Sequence, residues 1–284
     1  MNKLTLQSNA KVNLSLDIIG VEKAAGPFEG YHFIQTVLCE ITPQNCSNFK
    51  PDFVTIEEVS KDKFPESHDD KNLAYKALEI VKKHVGETHP PIKITIEKNI
   101  PISSGLGGGS SNAATVIKGL NHMWELHLTA EEMRKMVAEI GMDVPFFISG
   151  DIALAEHYGE QITQLPPVHG LAFTLFPDSA SDDPEKTKNA YAALDLSKCG
   201  KNVAQTEALI HAIKTNDLYE IHQNLHNDFE TSLREHEGGT GSPPKTPHFR
   251  ENVPEVPPKH PASGKHHQQN HHLTGAGPTT FILA

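Results

Sequence analysis

Between Val12 and Ile18 every second residue is apolar, with Asn13, Ser15 and Asp17 in the gaps, and this spacing predicts a half-buried β-strand. Lys11 and Asn13 stand two residues apart, so on a strand they point to the same side. Residues 33–41, 53–59 and 92–98 read as further strands, and 171–176 as another. Apolar residues at helical spacing predict helices over 73–85, 112–121, 187–194, 203–214 and 218–226. Thr129-Ala-Glu-Glu132 is a capping box that opens one more helix, with Met133, Met136, Val137 and Ile140 on one face and Gly141 as its stop. Pro145 should hold Val144 out of helical geometry, which puts Asp143 in an irregular segment just past that helix.

The alternation breaks at Pro101-Ile-Ser-Ser-Gly-Leu-Gly-Gly-Gly-Ser-Ser111, between the strand 92–98 and the helix 112–121. A strand, a glycine loop and a helix start together form a recipe for holding phosphate. Glycines let backbone N–H groups turn inward, and the helix start adds unpaired donors and partial positive charge. Ser110 and Ser111 can cap the helix, donate to phosphate oxygens or ligate a metal. A plain flexible turn before a capped helix is the alternative. No Gly-Lys-Ser/Thr follows: Gly200-Lys201 precedes Asn202, and Gly264-Lys265 precedes His266. Any lysine at the phosphates must therefore come from elsewhere in the chain.

Composition narrows the function. The 284 residues are enough for one large domain or two medium ones. With 25 basic and 36 acidic residues the net charge is −11, which argues against a nucleic-acid or anionic membrane surface. Three cysteines, odd in number and without metal spacing, read as reduced thiols of a cytoplasmic protein. The start of the chain lacks the apolar core of a signal peptide, and no apolar run reaches membrane-spanning length. Residues 238–272, rich in Pro, Gly, Lys and His, read as disordered. His266-His267 and His271-His272 could bind Zn2+ or Ni2+ adventitiously, but with no carboxylate or cysteine nearby they do not read as a genuine metal site.

Phosphoryl transfer to an alcohol needs a phosphate cradle, a carboxylate to take the hydroxyl proton and a cation for the developing alkoxide. Asp143 and Lys11 are the candidates, although taken singly Asp143 reads as a turn or cap aspartate and Lys11 as a solvated edge lysine. Gly30-Tyr31-His32 reads either as an ordinary turn or as a platform for a planar ring.

Pro101 to Ala114 resembles the phosphate loop of the GHMP kinases. Ala10-Lys-Val-Asn-Leu-Ser-Leu16, Gly30-Tyr31-His32 with Gln35-Thr36, Gly105-Leu-Gly-Gly-Gly-Ser-Ser-Asn-Ala-Ala114 and Asp143-Val-Pro-Phe-Phe147 follow in the family's order over residues 10–230. Gly30-Tyr31-His32 resembles the branch whose acceptor carries a cytidine diphosphate group. The resemblance implies an α/β (α+β) fold of two GHMP domains, divided here as 1–160 (ATP-binding) and 161–284, with the site in the cleft between them. It implies ATP and Mg2+ as cofactors, and transfer of phosphate to the 2-hydroxyl of a cytidyl-bearing methylerythritol unit, a step of non-mevalonate isoprenoid synthesis. It gives Lys11 and Asp143 catalytic positions, and Pro101, Gly105, Leu106, Gly107, Gly108, Gly109, Ser110 and Ser111 to ATP. Asn13, Tyr31, His32 and Tyr191 fall to the substrate, and Gly275-Ala-Gly-Pro278 resembles a second glycine loop beside the site. Where the family usually has a small residue, this chain carries His157. Two alternatives remain: a GHMP kinase for another alcohol, and a non-catalytic nucleotide-binding homologue.

Overall fold

A computed structural model describes residues 2–60, 72–86, 89–177, 186–230 and 271–283. The expected strand of alternating residues is β2 (Ala10–Val21), and it lies at the centre of the protein. It pairs antiparallel with β3 (His32–Ile41), which pairs with β6 (Ile152–His157), which pairs with β7 (Gln161–Gln164). On its other side β2 pairs in parallel with β9 (His226–Asn227), completing the order β7-β6-β3-β2-β9. A smaller antiparallel sheet joins β1 (Lys3–Ser8), β4 (Asp52–Glu58) and β5 (Ile92–Glu97). A third joins β8 (Phe173–Phe176), β10 (His272–Leu273) and β11 (Thr280–Leu283).

Both faces of the central sheet are covered. Leu38, Ala153 and Ala155 on one side join a core with α1 (Leu73–Val85), α2 (Gly108–Met123), α3 (Ala130–Val137), α4 (Val144–Ser149) and the inner face of β4 and β5. Val12, Leu14, Val37 and Cys39 on the other side pack with β8, β11, α6 (Val203–Thr215) and α7 (Leu218–Gln223). A short helix, α5 (Lys186–Ala192), brings Tyr191 over Leu16, Ile18 and Ile34. Burial on both faces explains why β2 is nearly continuously inaccessible, where the alternation predicted a half-exposed strand.

Several boundaries differ from expectation. Helix α2 begins at Gly108, four residues early, because the glycines and serines form its first turn, and its N-cap is Gly107 rather than a serine. Asp143 lies in the turn between α3 and α4, as expected. Helix α4 begins at Val144, however, so Pro145 does not keep Val144 out of helical geometry and Asp143 is the N-cap of that helix. Proline costs nothing there, since first-turn N–H groups have no partner within the helix. The capping box at Thr129 forms as expected, but α3 ends at Val137, short of Gly141. The helix expected over 218–226 ends at Gln223, and His226 instead enters a strand. Most of the stretch read as disordered lies outside the described residues; at its end His272 is ordered in β10, paired with Phe281. Strands β1, β6 and β7 were not anticipated. All three cysteines are free and buried. Among the described residues no helix is long and apolar enough to cross a membrane.

Candidate active site

The glycine loop is fastened to β2 by its backbone: Lys11 N–H donates to Leu106 O at 2.9 Å. Gly107 has φ +71, and a Cβ there would come within 2.9 Å of the Phe147 ring and 3.0 Å of Lys11 Cγ. Only glycine takes this left-handed turn in so little space. The N-cap glycine has no side-chain acceptor, so no cap occupies the donors of the first turn of α2. Ser111 is buried and accepts from Ser8 Oγ at 2.8 Å, whereas Ser110 on the preceding position is only partly covered. Ser110 is therefore the hydroxyl available to a ligand.

Lys11 and Asn13 share a side of β2, and a register shift follows directly after Asn13. Lys11 Nζ donates to Asn13 Oδ1 at 2.6 Å, and Asn13 Nδ2 donates to Thr36 Oγ1 at 2.8 Å. Lys11 Nζ also lies 3.9 Å from Asp143 Oδ2; the lysine side chain is 5 % exposed and the aspartate 40 %. Burial lowers the Lys11 pKa, and the Asp143 charge opposes that shift. Asp143 makes no capping bond with its side chain, although it stands at the N-cap of α4. Its carboxylate is thus part-exposed and paired with a desolvated ammonium. The solvated-lysine reading of Lys11 is excluded by its burial.

The second glycine loop closes the site from the far end of the chain. A Cβ at Gly277 would overlap the Gly105 nitrogen and the Ser104 carbonyl, and one at Gly105 would overlap the Thr274 carbonyl. The two loops touch backbone to backbone, and Asn227 Nδ2 holds the second by donating to Leu273 O and Gly275 O, each at 3.1 Å.

The aromatic residues divide into two groups. His32 and Tyr191 face each other with ring centroids 4.8 Å apart, and Phe229 meets Tyr191 edge-on at 5.0 Å. Burial raises the Tyr191 pKa, and the charge of Asp143 adds to the rise, so this pair borders the carboxylate. Burial also lowers the His32 pKa, which favours a neutral imidazole. Tyr31, still substantially exposed, packs instead with Phe28 and Tyr158 at 5.4 and 5.5 Å. Tyr158 donates its hydroxyl to Glu22 Oε2 at 3.0 Å, and His157 pairs with Glu160 at 2.6 Å. The structure thus gathers Lys11, Asn13, Asp143 and both glycine loops, with His32 and Tyr191 at one edge and Tyr31 farther out.

Sequence reasoning passed over Thr36, Thr274 and Lys98. Lys98 follows β5 immediately before the loop and pairs with the buried Asp52 beside α2. Its place between a strand and a glycine loop was the available signal.

The family model of the GHMP kinases N terminal domain matches residues 72–151. A 4-diphosphocytidyl-2-C-methyl-D-erythritol kinase of Alkaliphilus metalliredigens is 36 % identical over 239 residues, 81 % of this chain and 76 % of that protein. The chain belongs to the 4-diphosphocytidyl-2-C-methyl-D-erythritol kinase family of GHMP kinases. The enzyme of the same name from Clostridioides difficile is 34 % identical over 239 residues, covering 81 % and 75 % of the two chains. A crystal structure of 4-(cytidine 5'-diphospho)-2C-methyl-D-erythritol kinase shares the fold, with a TM-score of 0.67 and 23 % identity over 99 % of this chain and 90 % of that one. The family-model match spans the glycine loop and Asp143, while Lys11, Asn13, His32, Tyr191 and the second glycine loop lie outside it.

Proposed function

We propose that this chain transfers the γ-phosphoryl group of ATP to the 2-hydroxyl of 4-diphosphocytidyl-2-C-methyl-D-erythritol. The observation that carries the reading is the pairing of an open Asp143 carboxylate with the buried Lys11 ammonium beside the uncapped start of α2. In this reading the donors of Gly107 to Ser110 hold the ATP phosphates. Asp143 takes the proton of the acceptor hydroxyl, the oxygen attacks phosphorus, and the bond to the ADP oxygen breaks. Lys11, held by Asn13, offsets the negative charge that develops on the acceptor oxygen. His32, Tyr191 and Tyr31 supply planar surfaces for the cytosine end. The site in this reading draws on both sides of residue 160, with Tyr191 and Gly275 from beyond it and the loop and Asp143 from before it.

No group of three or more His, Cys, Asp or Glu side chains among the described residues could hold a metal ion by itself. Mg2+ that arrives with nucleotide takes most of its ligands from phosphate and water. Ser110, the part-covered hydroxyl at the loop, is the side chain that would add to its shell. When bound, the ion would neutralise phosphate charge.

ADP release coupled to a reporter tests the reading. Release should require the cytidyl substrate and be negligible with homoserine or mevalonate. Equal rates on an alcohol without a cytidyl group would indicate a different GHMP kinase. ATP binding without any release would indicate a non-catalytic homologue.

A further inference from the structure

Asp52 at the start of β4 is fully buried, and none of the roles above uses it. Its Oδ1 accepts from the backbone N–H groups of Asn99 at 2.6 Å and Ile100 at 2.8 Å. Its Oδ2 accepts from Asn112 Nδ2 at 3.0 Å and from Lys98 Nζ. Asn99 and Ile100 lead directly into the glycine loop, and Asn112 lies just after it on α2. One carboxylate therefore ties together both ends of residues 101–111. Ser8 adds a second tie, donating to Ser111 Oγ at 2.8 Å and accepting from Asn112 Nδ2 at 2.9 Å. Lys98 Nζ also donates to Asn112 Oδ1 at 3.2 Å, and it lies 3.2 Å from where a Cβ on Gly108 would stand. The ammonium is thus fixed next to the first residue of α2.

A loop of glycines has no rigidity of its own, because glycine populates many backbone conformations. A cradle that must present its N–H groups in one arrangement has to be held from outside, and a buried carboxylate with four donors is a strong anchor. We infer that Asp52 is a positioning residue for the nucleotide: it sets the spacing of the two ends of the phosphate loop and holds Lys98 at the start of α2. The inference rests on the proposed use of that loop for ATP. It assigns Asp52 no contact with substrate.

Asp52→Asn keeps the shape and the Oδ1 acceptor but turns Oδ2 into a donor facing two donors. Titration of a non-hydrolysable ATP analogue, without acceptor, should show binding roughly tenfold or more weaker for the variant, consistent with loss of charged hydrogen bonds. In turnover assays KM for ATP should rise by a similar factor, while kcat and KM for the cytidyl substrate stay within about twofold. Asn112→Ala, which frees the trailing end of the loop and removes one acceptor of Lys98, should move the same constants in the same direction, and serves where Asp52→Asn does not fold. A wild-type protein that fails to bind the analogue would refute the use of the loop for ATP. Wild-type binding with unchanged affinity in the folded variants would refute the role of Asp52, as would parallel losses in kcat and both KM values.

Discussion

Asp143 and Lys11 form an asymmetric pair, one open and one buried, and this asymmetry separates their expected mutant behaviour. Asp143→Asn preserves shape but cannot take a proton, so kcat should fall by about 100-fold or more while ATP affinity measured by titration stays near wild type. Turnover close to wild type in that variant would remove Asp143 from the role of base. Tyr31 meets Phe28 and Tyr158 in T-shaped contacts and remains substantially exposed. Tyr31→Ala should forfeit stacking of about 1–3 kcal/mol with the cytosine ring, raising KM for the cytidyl substrate and leaving KM for ATP unmoved. Equal weakening of both substrates would mean that Tyr31 only supports the surrounding turn. At these positions the residue types were readable in advance. The burial of Lys11 was not, because the cover over β2 comes from the second glycine loop some 260 residues later in the chain.

The two glycine loops meet through their backbones, so their contact tolerates no side chain at Gly277. Gly277→Ala must push the loops apart, at a cost of about 1–3 kcal/mol typical of overpacking. Its melting temperature should fall and its ATP affinity with it; a variant that melts with wild type would show that the loops part without strain. Helix starts illustrate how far local patterns reach. The Thr129 box predicted its helix well because both halves of the motif lie within four residues. The start of α2 was misplaced and α4 was not expected as a helix, since glycines and proline are poor helix formers that tertiary packing nevertheless holds in first turns. Strands β6 and β7 escaped notice because Ile152-Ala-Leu-Ala-Glu-His157 alternates weakly and earns its place only by pairing with β3.

The joint between the early and late parts of the chain is electrostatic as well as apolar. Buried Asp17 on β2 accepts from Thr206 Oγ1 on α6 at 2.6 Å and from His226 Nε2 on β9 at 3.1 Å. His226 Nδ1 also faces an acceptor, Asn224 O at 3.1 Å, so the ring has acceptors for two donated protons. Burial lowers the His226 pKa, but the bond to Asp17, its charge, the Asn224 carbonyl and the charge of Asp228 outweigh it, and the pKa ends above 6.5. Asp228, which accepts from Ile18 N–H and Gly200 N–H, has its pKa raised, chiefly by burial. In both groups the folded protein binds the proton more tightly than the unfolded chain. Their stabilisation is complete below the unfolded pKa and is lost as pH rises through the folded value. For His226 this loss begins above pH 6.5. Melting temperatures of wild type should therefore decline from about pH 6 to 8 more steeply than those of His226→Gln; identical slopes would show that His226 does not titrate in this range. The kinase family, the phosphate loop and the residue types of the site were legible in the chain, because a glycine cradle and a capping box act through near neighbours. Which lysine is buried, which serine is free, and how Asp17 meets His226 depended on contacts across about 100 to 260 residues. Those contacts arise only when both faces of one sheet are covered, and no local pattern encodes them.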